Sequence, residues 1–194
     1  YGIQVSVDTL EMLYGVNIDD YIKINFTGFV DVINQLGGVN VYSDYDFTTT
    51  SDYTYYTFKK GYNYNVKGAA ALAFSRERYA FENGDNQRVK NQQAVIEAIM
   101  KKVLNSNTLL TKYTDILDSL KGSFQTNIAQ DDISALVKDQ INNMSSWTVK
   151  TNSLSGTGAS SSTYSMGSTK LYVMVPSSTS VNDAKDKIDQ MLGE

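Results

Sequence analysis

The chain has 194 residues and a formal net charge of −4, so it fits one ordinary domain whose surface repels polyanions rather than recruiting nucleic acid. It holds neither cysteine nor histidine, which removes disulfides, thiolate chemistry, the usual zinc sites and Ser-His nucleophile pairs. No apolar run approaches the roughly 20 residues that cross a bilayer, and nothing resembles a signal peptide; the start at Tyr1 points to a segment of something longer, which leaves room for an anchor upstream.

The first element is a short helix over residues 6–14, with Val7, Leu10, Leu13 and Tyr14 at helical spacing, Ser6 as cap and Gly15 as stop. Residues 20–26 read as a strand. A helix opening at Thr27 follows, carries Val30, Ile33 and Leu36, and ends at Gly37 and Gly38. Residues 39–42 (VNVY) read as a second strand, and this order predicts an α/β unit around a sheet.

Residues 43–65 show no period and hold Tyr45, Tyr53, Tyr55, Tyr56, Tyr62 and Tyr64 among polar residues, the composition of a loop or hairpin. Rings in such a segment stack on sugars in some proteins and simply decorate strand ribbons in others. Further on, Leu109, Leu110, Tyr113, Ile116, Leu117 and Leu120 mark one amphipathic helix, and Ile133, Leu136, Val137 and Ile141 mark another. Residues 151–169 are dominated by Ser, Thr and Gly and read as a mobile connection between strand-like WTVKT and KLYVMV. A last helix is expected from Ser180, with Asp183 completing a capping box and Ala184, Ile188 and Met191 buried.

Of the 17 basic residues only three are arginine, and they fall in one window as Arg76, Arg78 and Arg88. Guanidinium is a planar fork of donors matched to two phosphate oxygens, whereas ammonium is a point charge. The segment ALAFSRERY is expected to leave a helix near Ala73 and become extended, so that Arg76 and Arg78 share a face and Glu77 points the other way, as a surface ion or a partner to a neighbouring lysine. After Asn83 and Gly84, Asp85 is a natural cap for a helix reaching about Leu104, which makes Arg88 its third residue. A cation there opposes the helix dipole, so either an anion sits before the helix or Asp85 pairs with Arg88. Gln92 lies one turn on, and Val95 or Ile96, Ile99 and Val103 continue its face from polar to apolar. That gradient suits a phosphate with a hydrocarbon tail, and equally an ordinary core stripe.

The string GYNYNVKGAAALAFSRERYAFENGDNQRVKNQQAVIEAI resembles the signature of the LytR-CpsA-Psr family. The matched positions are Gly61, Gly68, Ala71, Leu72, Arg76, Arg78, Gly84, Asp85, Arg88 and Gln92, with Gln93 following, and the segment before them is similar to the family's Gly-Gly-Val region. The resemblance implies an α/β fold, a three-layer α/β/α sandwich with a central mixed sheet, of which residues 1–194 would form the C-terminal portion, incomplete at the N-terminus. It implies a magnesium-assisted phosphotransferase on the outer face of the cell membrane, held by an upstream anchor. Such an enzyme moves a polyprenyl-pyrophosphate-linked glycan, capsule or teichoic acid, to peptidoglycan. Arg76, Arg78 and Arg88 would be catalytic and would hold the pyrophosphate together with Gln92, while Asp85 supports Arg88. The family's metal-binding aspartates lie upstream, so no metal ligand is expected in this chain and the fragment is expected to be inactive alone. The alternative is a lipid-pyrophosphate or glycan binding module without catalysis. A transcriptional regulator is disfavoured by the acidic charge and by the lack of a basic recognition helix.

Overall fold

The computed structural model describes residues 2–50, 54–82, 84–104, 122–163 and 166–193. Helices and strands mix throughout, which makes this an α/β chain. It divides into two compact units, one formed by residues 1–19 with 150–194 and the other by residues 20–149. The described strands form four two-stranded antiparallel sheets.

The first unit contains α1 (Ile3–Tyr14), β7 (Gly156–Ser162), β8 (Lys170–Pro176) and α6 (Ser178–Leu192). Gly15 ends α1 as expected, in the left-handed region at φ 70° with its N–H on Glu11 O, but the helix starts three residues before Ser6, from Gly2. The Ser/Thr/Gly stretch is not a mere connection. Residues 156–162 form a regular strand paired from Gly156↔Pro176 to Ser162↔Lys170, whereas WTVKT forms none. Small polar side chains suit a ribbon left in solvent, and pairing with the strong β-formers of β8 supplies what their own propensity lacks. Helix α6 is capped by Ser177, whose side chain accepts from Ser180 N–H, not by Ser180. Ala184 is buried and Ile188 half-buried, but Met191 is exposed.

The second unit holds β1 (Ile22–Ile24), α2 (Phe26–Gln35), β2 (Val39–Ser43), β3 (Phe47–Thr48), β4 (Thr57–Phe58), β5 (Gly61–Val66), α3 (Gly68–Arg76), α4 (Gly84–Val103), β6 (Phe124–Thr126) and α5 (Gln130–Asn143). The expected strand at 20–26 shrinks to three residues because Asn25 accepts the Gly28 N–H and starts α2 early. Strands β1 and β2 do not share a sheet: β1 pairs with β6 and β2 with β5. The tyrosine segment is hairpin-rich, with β3 on β4 and β5 on β2. Helix α5 appears where its stripe predicted, yet Leu136 is exposed and Gln140 is its buried residue. The helix expected from Leu109 to Leu120 lies outside the described residues.

One core fills this unit. Ile33 and Leu36 from the α2 region, Val39 and Val41 of β2, Phe47, Phe58, Phe74 of α3 and Val95 of α4 are all buried together. Phe58 and Phe74 meet edge to face at 4.9 Å, and Phe47 stacks on Phe58 at 5.1 Å, so three rings from three elements lock α3 onto the β3–β4 hairpin. Gly68 lets α3 begin against α2: a Cβ there would sit 2.2 Å from Val30 O, and its N–H donates to Asn34 Oδ1 at 2.9 Å. Gly68→Ala is therefore expected to destabilise the unit by about 1–3 kcal/mol, the usual range for overpacking. A denaturant melt of wild type against variant measures it, and equal midpoints would contradict this packing.

Candidate active site: an arginine-lined pocket

The site forms where α3 ends and α4 begins. Helix α3 runs on to Arg76, three residues past the expected exit, so Arg76 and Arg78 are not alternate residues of one extended segment. They meet the same space by another route, Arg76 from the last helical turn and Arg78 from the loop behind it. Arg76, Arg78, Arg88 and Gln92 line one open pocket of about 680 Å³, with Phe26, Thr50, Ser75 and Tyr79 completing its wall. Aromatic faces orient two of the guanidiniums: Arg76 lies 5.0 Å from the Phe26 ring centroid and Arg78 5.0 Å from that of Tyr79.

Glu77 is the residue that the sequence misplaces. Expected at the surface, it is fully buried. Its Oε1 accepts the N–H groups of Arg78 (3.0 Å), Tyr79 (2.7 Å) and Ala80 (3.0 Å), and the Thr50 hydroxyl at 3.0 Å, while Oε2 accepts Thr50 N–H at 2.5 Å. One carboxylate thus folds the loop after α3 and pins it to a segment 27 residues earlier in the chain. Burial opposes its charge, but the converging donors outweigh burial and hold its pKa below the ordinary glutamate value. A signal was available in the sequence: a carboxylate following a helix C-terminus has the wrong sign for the dipole and needs another reason to be there.

Helix α4 begins one residue before the expected start, at Gly84, so Asp85 sits inside the first turn rather than at the cap. There its charge complements the dipole, and Oδ1 pairs with Arg88 Nη2 at 2.5 Å. The ion pair weighed against an anion site is therefore real. It leaves Arg88 Nε buried without a hydrogen-bond partner beside the pocket. Two buried amides set the register of α4: Gln87 Nε2 donates to Asp44 Oδ2 and Asn91 Oδ1, both at 3.1 Å, and Asn91 Nδ2 donates to Phe74 O at 3.1 Å. Asn91 so satisfies a carbonyl in the last turn of α3, and this bond fixes Arg88 relative to Arg76. Neither amide was singled out from the sequence. The apolar continuation of the Gln92 face proves to be core, since Val95 is buried and Ile99 and Val103 pack on the core cluster, while Ile96 is exposed.

The pocket is lined by three guanidiniums and a neutral amide, donors suited to a multiply charged anion, with the Asp85 carboxylate paired to Arg88 and the Glu77 carboxylate held by backbone N–H groups behind the wall. Among the described residues no group of three or more Asp or Glu side chains is arranged to hold a metal ion. Nor is any described helix long and apolar enough to cross a membrane.

Residues 1–187 match the sequence model of the LytR_cpsA_psr family. A Bacillus cereus protein named Polyisoprenyl-teichoic acid--peptidoglycan teichoic acid transferase TagU is 35% identical over 141 residues, covering 73% of this chain and 44% of that protein. Its Bacillus licheniformis namesake is 37% identical over 132 residues, covering 68% and 41%. The chain thus spans less than half the length of the curated relatives it matches. The crystal structure of B. subtilis TagV is similar with a TM-score of 0.76 and 26% identity, over 99% of this chain and 71% of that one. On the match of nearly its whole length, the chain belongs to the LytR-CpsA-Psr family.

Proposed function

We propose that this chain is part of the catalytic domain of a phosphotransferase that moves a polyprenyl-pyrophosphate-linked glycopolymer, of teichoic acid or capsule type, onto peptidoglycan. Both units belong to that one domain in this reading, which is supported by a family match running across them. The observation that carries it is the convergence of Arg76, Arg78, Arg88 and Gln92 on one pocket. The names of the relatives supply the chemistry.

In the reaction a peptidoglycan hydroxyl attacks the phosphorus that carries the polymer. The bridging P–O bond breaks, and polyprenyl phosphate leaves. Negative charge grows on the bridging and terminal oxygens as this happens, and preorganised guanidiniums stabilise that charge more than the ground state. Arg76 and Arg78 are the recognition fork, Arg88 meets the oxygen nearest the α4 N-terminus, and Gln92 adds a neutral donor. Asp85 keeps Arg88 from rotating away. Magnesium, for the complete domain, would be held by carboxylates outside these 194 residues. The complete protein acts at the outer membrane face through an anchor that is likewise outside them.

The test is release of polyprenyl phosphate by the complete protein from a pyrophosphate-linked substrate, wild type against Arg78→Lys. Lysine keeps the charge and loses the fork, so a fall of about tenfold is expected, the equivalent of one charge-assisted hydrogen bond. Unchanged transfer would overturn the assignment. Binding without turnover in the complete protein would favour a non-catalytic binding module instead. The 194-residue chain by itself is expected to show no magnesium-dependent turnover in the same assay, and robust activity there would refute the placement of the metal ligands.

A further inference from the structure

A second concave site lies in the same unit, on the other side of α4. Tyr42 and Tyr62 are cross-strand partners on β2 and β5, and Tyr62 and Tyr64 are alternate residues of β5, so all three rings fall on one face of the ribbon. Tyr42 meets Tyr62 edge to face at 5.3 Å, and Tyr62 stacks on Tyr64 at 6.1 Å with 29° between planes. They remain 48%, 57% and 70% exposed, although rings of this size normally find a partner surface. Beside Tyr42 and Tyr62 the surface dips into a cleft of about 380 Å³ whose other wall is α4, with Glu97, Lys101 and Lys102, and whose lining includes Asn40.

The polar groups here differ from those of the arginine pocket. Lys101 is matched by Glu97 at 2.6 Å, which leaves the cleft with the single net positive charge of Lys102. Asn40 has its Oδ1 committed to Asn65 N–H, and its –NH2 is therefore what it offers a ligand. A row of exposed rings flanked by amide, carboxylate and ammonium groups matches a pyranose strand: flat C–H faces lie on the rings, while hydroxyl and acetamido groups meet the polar rim. A phosphate would find no guanidinium fork. Gln92 and Arg88 point away from the face that carries Ala94, Glu97 and Lys101, and the centres of the two residue sets are about 12 Å apart along the helix at 1.5 Å per residue.

We propose that this cleft is a glycan subsite for an uncharged, N-acetylated saccharide strand, separate from the pyrophosphate pocket. It rests on the proposed reaction only for the identity of the acceptor, since such a strand is the backbone of peptidoglycan. Binding at the cleft would hold an acceptor chain on the protein while the arginines engage the donor.

The complete protein is titrated with the β-1,4-linked tetramer of N-acetylglucosamine, and binding is read by saturation-transfer NMR and calorimetry. Tyr62→Ala is expected to weaken tetramer binding at least tenfold, and Tyr62→Phe less than threefold, because the ring and not the hydroxyl makes the platform. Tyr64→Ala removes an exposed rim ring with little risk to folding and is expected to weaken binding severalfold. Inorganic pyrophosphate, read in parallel, should bind all three variants as it binds wild type and should not displace the tetramer. No tetramer binding to wild type, equal binding to Tyr62→Ala and Tyr64→Ala, or displacement by pyrophosphate would each overturn the subsite. Unchanged transfer by the Arg78→Lys enzyme with tetramer binding intact would overturn the arginine assignment and leave the subsite standing, so the two readings fail separately.

Discussion

Replacing Arg88 with alanine in the complete protein is expected to lower glycopolymer transfer by about two orders of magnitude, with a folded protein remaining. The size follows from the role assigned to the guanidinium, because losing one charge-assisted hydrogen bond to phosphate, worth about 1.5–3 kcal/mol, corresponds to roughly 10–150-fold. The fold should tolerate the change. Arg88 is partly exposed, and its Asp85 partner is mostly in water, so the ion pair itself contributes little to stability. The decisive measurement is kcat/KM for polyprenyl phosphate release alongside a thermal melt. A variant that keeps its activity would show that Arg88 serves only Asp85, the local alternative that the geometry leaves in place. Asp85→Asn distinguishes them further: if Asp85 only orients Arg88, its replacement should cost less than the loss of Arg88 itself.

The second large effect is on stability and comes from Glu77. Glu77→Gln keeps the shape but turns an acceptor-only carboxylate into an amide with one donor end, which faces the Thr50 N–H or the N–H groups of residues 78–80. A buried donor left without an acceptor costs about 1–3 kcal/mol, so the variant is expected to lose about 3 kcal/mol and to melt well below wild type. Transfer should fall with it, since Arg78 and Tyr79 hang on the loop that Glu77 folds.

The same residue predicts a pH dependence. Its native pKa lies below the ordinary value of 4.5, so its contribution is complete above that value, shrinks below it, and is gone once the pH has fallen through the lowered native value. Wild type is therefore expected to lose stability on acidification more steeply than Glu77→Gln does. Parallel acid titration curves for the two proteins would contradict the role given to this carboxylate.

The element pattern of the chain was largely legible. Gly15 closes α1, helices occupy the stripes around Val30, Ala73, Val95 and Val137, and a strand occupies 39–43, because caps and hydrophobic periods depend on neighbours within one or two turns. Misreadings occurred where a distant segment supplied the deciding energy. Residues 156–162 look like a linker and become a strand only because β8 pairs with them. Helix α3 outlasts its expected end at Ala73 because Phe74 is held in the aromatic core and its carbonyl is met by Asn91 from α4.

For the site, the sequence alone singled out the three arginines and Gln92. Reserving arginine for Arg76, Arg78 and Arg88 selects a forked donor over a point charge whatever the fold, and the motif spacing assigns them to one signature. Only the tertiary structure decided which groups stand behind them. Glu77 reads as a surface charge until Thr50 arrives from another part of the chain, and nothing local distinguishes Gln87 and Asn91 until Asp44 of the β2–β3 turn and Phe74 of α3 meet their side chains. The reason is physical: a local signal is a property of adjacent residues, whereas the burial of a polar group is tolerated only when partners remote in sequence converge to satisfy it.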